Sequence, residues 1–571
     1  MKYLFLSLIL LLINLNLFAG TTKVEIKIIQ TTDIHANIFP YDFIKKEDGS
    51  GSLARVNTFI KEQKNIYGDN LILVDCGDIL QGQPTAYYYN FIDTTSKHIV
   101  SQVMNFMGYD IGVMGNHDIE TGHSVYDKWI GECQFPILGA NIIDKSTGKP
   151  YLKPYTILER DGVKIAFLGL ITPAIPSWLP EKLWSGLQFN NMVETAKEWM
   201  EIIKLQENPD AIVGVFHSGQ SGNMLDGVIE NASLEVAKQV PGFDVVMMGH
   251  DHTKDIKSIE NIAGDTVFVI DPAANANLVS DIQIRFIKEN GKIISKEISG
   301  NLIDVNQYSI DKDFMLNFSE QYKKIDSFVS RRIGSISKTI SCQDAFFGSS
   351  AFIDFIHYLQ LSISGADISF AAPLSPSAKL VKGDIFVADM FNLYKYENML
   401  YTMELTGQEI KDFLEMSYAL WTNVMSSADD DLLLLYYPNG DKSRAKFVNM
   451  SFNFDSAAGI DYLVDVSKPE GEKLTILKMS DGRQFDLNEK YKVAINSYRG
   501  NGGGGLLTKG AGISKEELSK RIINATDKDF RYYMMNYIEE RGEIAPKIYH
   551  NWKFIPKKWV KKAAKRDRMK L

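Results

Sequence analysis

Residues 110–120 read DIGVMGNHDIE. The apolar run Ile111–Met114 ends in a glycine, an amide, an imidazole and two carboxylates, the acids at +1 and +3 from the His. Taken alone, this is a polar turn leaving a buried strand. The same arrangement recurs along the first half of the chain. After VEIKIIQ, TTDIH (31–35) supplies Asp33 and His35; VDCGD (74–78) supplies Asp78; FHSG (216–219) supplies His217; GHDH (249–252) supplies His250 and His252. With Asn116 and His117, five strand-like runs end in donors of one chemical kind.

Between such runs lie amphipathic segments, SLARVNTFIKEQKN (52–65) and MVETAKEWMEIIKLQEN (192–208). Strand–helix alternation over 24–285 predicts layered α/β architecture with helices flanking sheets. In such sheets the loops after the strand C-termini converge on one crevice, so donors two hundred residues apart can meet.

Their chemistry is oxygen and imidazole without thiolate, which suits Zn, Mn or Fe. Asp33 and His35 are separated by one residue, as are His250 and His252. In extended backbone, i and i+2 side chains point the same way, so each pair would grip from one side. Seven candidates exceed what one tetrahedral ion takes, whereas two ions sharing Asp78 would use them all. Two divalent cations less the two Asp charges leave a charge that matches a phosphate ester dianion. Such a pair also lowers the pKa of a bound water from near 16 toward 7.

At 571 residues the chain exceeds one ordinary core, and two domains are expected. Its 45% hydrophobic and 23% charged content is that of a globular protein. A net charge of −9 excludes a protein that coats a nucleic-acid polymer, and phosphate handling then needs positive charge supplied locally. The start, MKYLFLSLILLLINLNLFAG, has a basic residue, an apolar stretch from Leu4 to Ile13 and small residues at Ala19 and Gly20. That is a secretory leader, with cleavage near Ala19. The apolar stretch is short for a membrane span, and no later stretch qualifies. The expected location is therefore outside the cytoplasm, in the periplasm, at the cell surface or beyond. Three cysteines are too few for a disulfide framework, and Cys76 reads as a core residue.

Residues 311–332 read as one polar helix connecting two domains, with Phe314, Phe318, Tyr322 and Ile325 at helical spacing. A second domain follows with its own strands and helices. The basic end, KKWVKKAAKRDRMKL, reads as a solvated tail.

The set DIH…GD…GNHD…H…GHDH resembles the calcineurin-like metallophosphoesterase superfamily. With the second half, nearly the whole chain past the leader resembles the secreted bacterial 5′-nucleotidase/2′,3′-cyclic-nucleotide 2′-phosphodiesterase (3′-nucleotidase) family. The resemblance implies a four-layer α/β N-terminal domain (20–305), a linker helix (306–335) and a C-terminal α/β nucleoside-binding domain (336–545), between a signal peptide (1–19) and the basic tail (546–571). It implies that Asp33, His35 and His252 hold one divalent ion and Asn116, His217 and His250 the other, with Asp78 bridging. It also implies that His117 pairs with a carboxylate and stabilises transition-state charge. The family usually places Asp three residues after this His; here that position is Glu120, with Asp118 the alternative. Hinge motion around 311–335 is expected, because a base held by one domain must meet metals held by the other.

DMFNLYKYENMLYTMELTGQEIKDFLEMS (389–417) resembles the family's nucleoside-binding domain, closest to its cyclic-phosphodiesterase/3′-nucleotidase branch. Matching positions make Tyr396 and Tyr498 two faces of a sandwich around the base, with Asn496 touching base or sugar. Beside Tyr498, the glycine run 502–505 is expected to let backbone approach a ligand. Two departures bear on the substrate. The stretches SFAAPLSPSAKLVKGDI and SCQDAFFGSS contain no Arg where the 5′-nucleotidase branch binds phosphate, leaving Lys379 and Ser375 as substitutes. Gly504 stands where that branch has an acid. Both favour a 2′,3′-cyclic-nucleotide 2′-phosphodiesterase/3′-nucleotidase working through in-line attack by a metal-bound hydroxide. The alternatives are a 5′-nucleotidase or UDP-sugar hydrolase on the same metals, and a non-catalytic secreted nucleotide-binding protein.

Overall fold

A computed structural model describes residues 21–225, 227–438 and 445–571; the leader expected at 1–19 lies outside the described residues. The chain divides into two units between Tyr322 and Lys323, and the second unit also takes in residues 43–46 and 175–183.

In the first unit, β1 (Thr21–Thr31), β2 (Leu71–Asp75), β3 (Ile111–Val113) and β4 (Ile137–Leu138) run parallel, side by side. A second sheet follows from β5 (Tyr155–Arg160), β6 (Val163–Ile171), β7 (Ala211–His217), β8 (Val245–Met248), β9 (Asp255–Glu260) and β10 (Thr266–Asp271). The chain then returns with β11 (Leu278–Glu289) and β12 (Lys292–Asp304), β11 pairing antiparallel with β1. The sheet orders are β12-β11-β1-β2-β3-β4 and β9-β10-β8-β7-β6-β5.

Parallel strands buried on both faces need apolar residues at successive positions, not alternate ones. On β7, Val213 and Val215 join Ile26, Ile28, Ile72 and Val74 in a core shared by the two sheets. Ile212 and Phe216 point the other way, onto Met192, Ala196, Met200 and Ile203 of the helix Met192–Gln206. The helix Leu53–Tyr67 covers β1 and β2. The result is the expected four-layer helix/sheet/sheet/helix arrangement. Its consequence for function is direct: β1, β2, β3, β7 and β8 all end at the edge where the donor-bearing loops begin.

The second unit is built on a mixed sheet of β13 (Ile368–Ala371), β14 (Met399–Thr406), β15 (Ser456–Ala458), β16 (Lys490–Asn496) and β17 (Ile522–Asp529), in the order β15-β13-β16-β14-β17. Phe370 of β13 stacks on Phe413 of the helix Gly407–Trp421, centroids 4.2 Å apart. From the helix Ala351–Ser364, buried His357 bridges two strands, with Nδ1 2.9 Å from Ser369 Oγ and Nε2 3.1 Å from Ser456 Oγ.

Two segments depart from the sequence reading. Residues 311–332 form two helices, Lys312–Asn317 and Ser319–Val329, broken at Phe318, whose ψ of 17° leaves the helical range. Phe314 and Phe318 are buried against Phe39 and Phe106, so the first helix is core of the first unit and not a linker. The basic end is likewise not a solvated tail. Trp552–Ile555 pairs with Ile460–Asp465, and the helix Lys557–Asp567 ends on a buried Asp567 that accepts the Leu432 and Leu433 N–H groups.

His357 yields a stability prediction. Burial holds its ring neutral, with the pKa pushed down from 6.5 to about 3. Below about pH 6.5 the unfolded chain binds a proton that the folded chain refuses, so stability is full above that pH and falls as pH drops toward 3. The slope is about 1.4 kcal/mol per pH unit. His357→Gln, which cannot titrate, is expected to flatten the urea-midpoint profile of this unit between pH 4 and 6; a slope equal to wild type would contradict it.

Candidate metal centre

Each donor lies at, or within four residues of, the C-terminal end of a parallel strand. The backbone there is unusual. Asp33, His35, Asp78, His250 and His252 have φ of 48°, 50°, 60°, 86° and 56°. This left-handed region costs a non-glycine residue roughly 1–2 kcal/mol. The i, i+2 pairs are therefore not extended, contrary to the sequence reading. Asp33 and His35 do reach the same place, but His250 and His252 diverge to different ones.

Two donor groups result, Asp33 with His35 and His252, and Asp78 with His217 and His250; within each, the ligand atoms lie within 4.8 Å of one another. His35 Nε2 is 3.0 Å from His252 Nε2, which is 3.3 Å from Asp33 Oδ1. His217 Nε2 is 3.2 Å from Asp78 Oδ2 and 3.0 Å from Asn116 Oδ1, and His250 Nδ1 is 2.7 Å from that same Asn116 oxygen.

The two carboxylates are built alike. Asp33 Oδ2 accepts from the Thr32 hydroxyl and the His250 N–H, at 2.6 and 2.9 Å, and Asp78 Oδ1 accepts the His117 N–H at 2.8 Å. Their other oxygens, Asp33 Oδ1 and Asp78 Oδ2, are buried with no hydrogen-bond partner among the described residues. A buried, unsatisfied carboxylate oxygen is costly, and two of them facing imidazole nitrogens fit a pair of cations. The rings are set by carbonyls, which can only accept: His35 Nδ1 donates to Gln81 O at 3.1 Å and His217 Nδ1 to Cys76 O at 2.7 Å, leaving both Nε2 atoms for the site.

Asp118 and Glu120 divide the work near His117. Glu120 Oε2 is 2.5 Å from His117 Nδ1. Asp118 turns inward and accepts the N–H groups of Asp78, Ile79, Leu80 and Gly115 at 2.8–2.9 Å, pinning the loop after β2 to the loop after β3. Gly115 is required by this closeness, because a Cβ there would lie 2.1 Å from Asp78 Oδ1.

Without metal, charge is balanced by protons. Burial works against ionised Asp78, but His217 and His117 outweigh it and hold it well below the carboxylate range; Asp33 is lowered, burial being outweighed mainly by His252 and His217. Burial opposes protonation of His217 and His117 too, yet Asp78 with its neighbours raises them to about 10 and about 9. Burial lowers His35 to about 4. An ion taken up by His217 must displace a proton.

In the second unit, Tyr396 and Tyr498 are both half-buried and both edge-on to Phe452, at 6.4 and 6.0 Å with interplanar angles of 87° and 88°. Tyr396 and Phe452 line a cavity of about 810 Å³ together with Lys379. Asn496 is committed otherwise: its Oδ1 accepts the Arg499 N–H and caps the short helix Ser497–Gly500. The glycine run also serves the chain itself, since a Cβ on Gly503 would lie 2.6 Å from the Tyr498 ring. Sequence reasoning missed Phe452, whose signal was the aromatic density of SFNF. It also missed Glu230, an acid in the short strand Val228–Asn231, which lies 3.0 Å from His250 Nε2.

Comparison with known proteins gives the family. The model for calcineurin-like phosphoesterases matches residues 26–254, and that for the 5′-nucleotidase C-terminal domain matches residues 332–509. The Trifunctional nucleotide phosphoesterase protein YfkN of Bacillus subtilis is 27% identical over 94% of this chain, which spans only 39% of that longer protein. A 2′,3′-cyclic-nucleotide 2′-phosphodiesterase/3′-nucleotidase of Yersinia enterocolitica is 26% identical over 94% of this chain and 89% of its own length. A provisionally assigned 5′-nucleotidase of Staphylococcus aureus shares the fold, with a TM-score of 0.76 at 20% identity over 93% of this chain and all of that one. With both domains matched in order and relatives aligned along nearly its whole length, the chain is a phosphoric ester hydrolase that carries a calcineurin-like phosphoesterase domain followed by a 5′-nucleotidase C-terminal domain.

Proposed function

We propose that the protein is an exported two-metal phosphoesterase whose preferred substrates are 2′,3′-cyclic nucleotides and 3′-nucleotides. The observation that carries this reading is the pair of donor groups, with two buried carboxylate oxygens that face imidazole nitrogens. Asp33, His35 and His252 are assigned to one ion, Asn116, His217 and His250 to the other, and Asp78 to both. Oxygen and imidazole donors suit Zn²⁺ or Mn²⁺. Bound there, the ions supply Lewis acidity and a water nucleophile active near neutral pH.

The chain's own groups do the rest. With Nδ1 tied to Glu120, His117 is held to donate from Nε2 to a phosphoryl oxygen as charge builds there. Glu120 holds the ring in that orientation. Tyr396 and Tyr498 are assigned to stacking on the base, which tolerates different bases. Because Asn496 Oδ1 is spent on its helix cap, a substrate contact from it would come from the amide N–H₂. The substrate preference is supported by the two departures from the 5′-nucleotidase pattern and by the activity for which the Yersinia enterocolitica relative is named. Export is supported by the leader-like residues 1–19, and among the described residues no helix is long and apolar enough to cross a membrane.

The test is phosphate release from 2′,3′-cyclic AMP, 3′-AMP and 5′-AMP in Mn²⁺, with ring opening followed by chromatography. The cyclic and 3′ compounds are expected to exceed 5′-AMP, and EDTA to abolish all three; dominance of 5′-AMP would overturn the substrate preference and leave the metal centre standing. His117→Asn is expected to lower kcat about 10²–10³-fold while bound metal, read by elemental analysis, stays at two ions. Tyr396→Ala and Tyr498→Ala should each raise KM roughly 5- to 150-fold, the equivalent of one lost stack, with kcat far less affected.

A further inference from the structure

The histidines of the centre are not oriented alike. His35 and His217 turn Nδ1 outward to backbone carbonyls and Nε2 inward. His250 is reversed. Its Nδ1 faces Asn116 Oδ1 at 2.7 Å, and its Nε2 meets the Glu230 carboxylate at 3.0 Å. Both side chains are largely buried, at 10% and 15% exposure. We infer that Glu230 is a positioning residue of the metal centre, fixing the reversed orientation of His250 and strengthening it as a ligand for one of the two ions.

Glu230 is held by its backbone, which frees its side chain for this role. It lies in the short strand Val228–Asn231, and its carbonyl accepts from Thr172 Oγ1 at 2.9 Å and Ser218 Oγ at 2.8 Å. The next residues continue the attachment: Asn231 Oδ1 accepts the Gly219 N–H, the Ala232 N–H goes to Ser218 Oγ, and Ser233 Oγ donates to Ser218 O. Residues 230–233 are thus stitched to 218–219, directly after His217, the other histidine of the same donor group. One anchored segment thereby sets the spacing of both imidazoles.

A carboxylate does more here than a carbonyl would. It fixes the proton on Nε2, so that Nδ1 offers its lone pair inward. It also pushes electron density into the ring, making the nitrogen a better donor, an effect that typically amounts to 10- to 100-fold in metal affinity. The two ions are then unequal, because Glu230 supports only the one shared by Asp78, Asn116, His217 and His250.

The inference rests on the two-ion reading above, and the test separates the two. Co²⁺ is titrated into metal-free wild type, Glu230→Ala, Glu230→Gln and His250→Ala, followed by calorimetry and visible absorption. Wild type is expected to take up two ions. Glu230→Ala should bind one as before and the other about 10- to 100-fold more weakly, in the same step that His250→Ala removes, with a changed cobalt spectrum for that ion. Glu230→Gln, whose amide oxygen can still accept the ring N–H, should fall between. Two unchanged steps in Glu230→Ala would overturn the inference while leaving the metal centre intact. Equal weakening of both steps with a lowered Tm of the metal-free protein would overturn it too, as a merely structural role. Failure of wild type to bind Co²⁺ would defeat both readings together.

Discussion

The first unit depends on the burial of two carboxylates, each with one oxygen hydrogen-bonded by the chain and the other facing a histidine nitrogen, at 3.3 Å for Asp33 and 3.2 Å for Asp78. Asp33 and Asp78 cannot stay in this condition unless something fixes the loops that carry them. The loops after β1 and β2 continue the strand pairing through Asp33 N–Gly77 O and His35 N–Asp78 O hydrogen bonds of 2.9 and 3.0 Å. Asp118 binds the same turn with four accepted N–H groups. Five left-handed residues at roughly 1–2 kcal/mol each represent a conformational load of about 5–10 kcal/mol, comparable with the whole net stability of a domain. Such strain persists only where the surroundings over-determine the backbone, and here the two sheets beneath do so.

Much of this was legible in the sequence because the donors stand out against their context. A polar side chain just past one apolar run is an ordinary turn, but repetition at five strand ends points to one crevice. The backbone was not legible. Reading Asp33/His35 and His250/His252 as extended pairs picked out residues that do gather in the two donor groups but gave them the wrong geometry, since the sign of φ at a non-glycine residue is set by its surroundings and leaves no mark in composition.

Other misreadings have equally local causes. Phe314, Phe318 and Tyr322 keep stepping by four through the break at Phe318, so periodicity reports one helix where there are two. The lysines from Lys557 onward mask the alternation of Trp552 and Phe554, both buried, which is the real signal that the end of the chain is part of the fold. Glu230 was invisible because an acid in a short strand looks like surface. Its role follows only from the reversed ring of His250, a fact of three-dimensional packing. The glycine run 502–505 was read as room for a ligand; that Gly503 also makes room for Tyr498 is an internal contact that sequence spacing cannot reveal.

The second unit is assembled from three stretches of chain, the long C-terminal stretch together with residues 43–46 and 175–183. It is consequently not a cassette. A cut or a fusion junction at residue 322, though it falls at the division between the units, would strip the C-terminal piece of two segments that belong to it and leave them stranded on the other fragment. Shuffling of whole domains between relatives is therefore constrained, and a transplanted C-terminal half would have to bring both short segments with it.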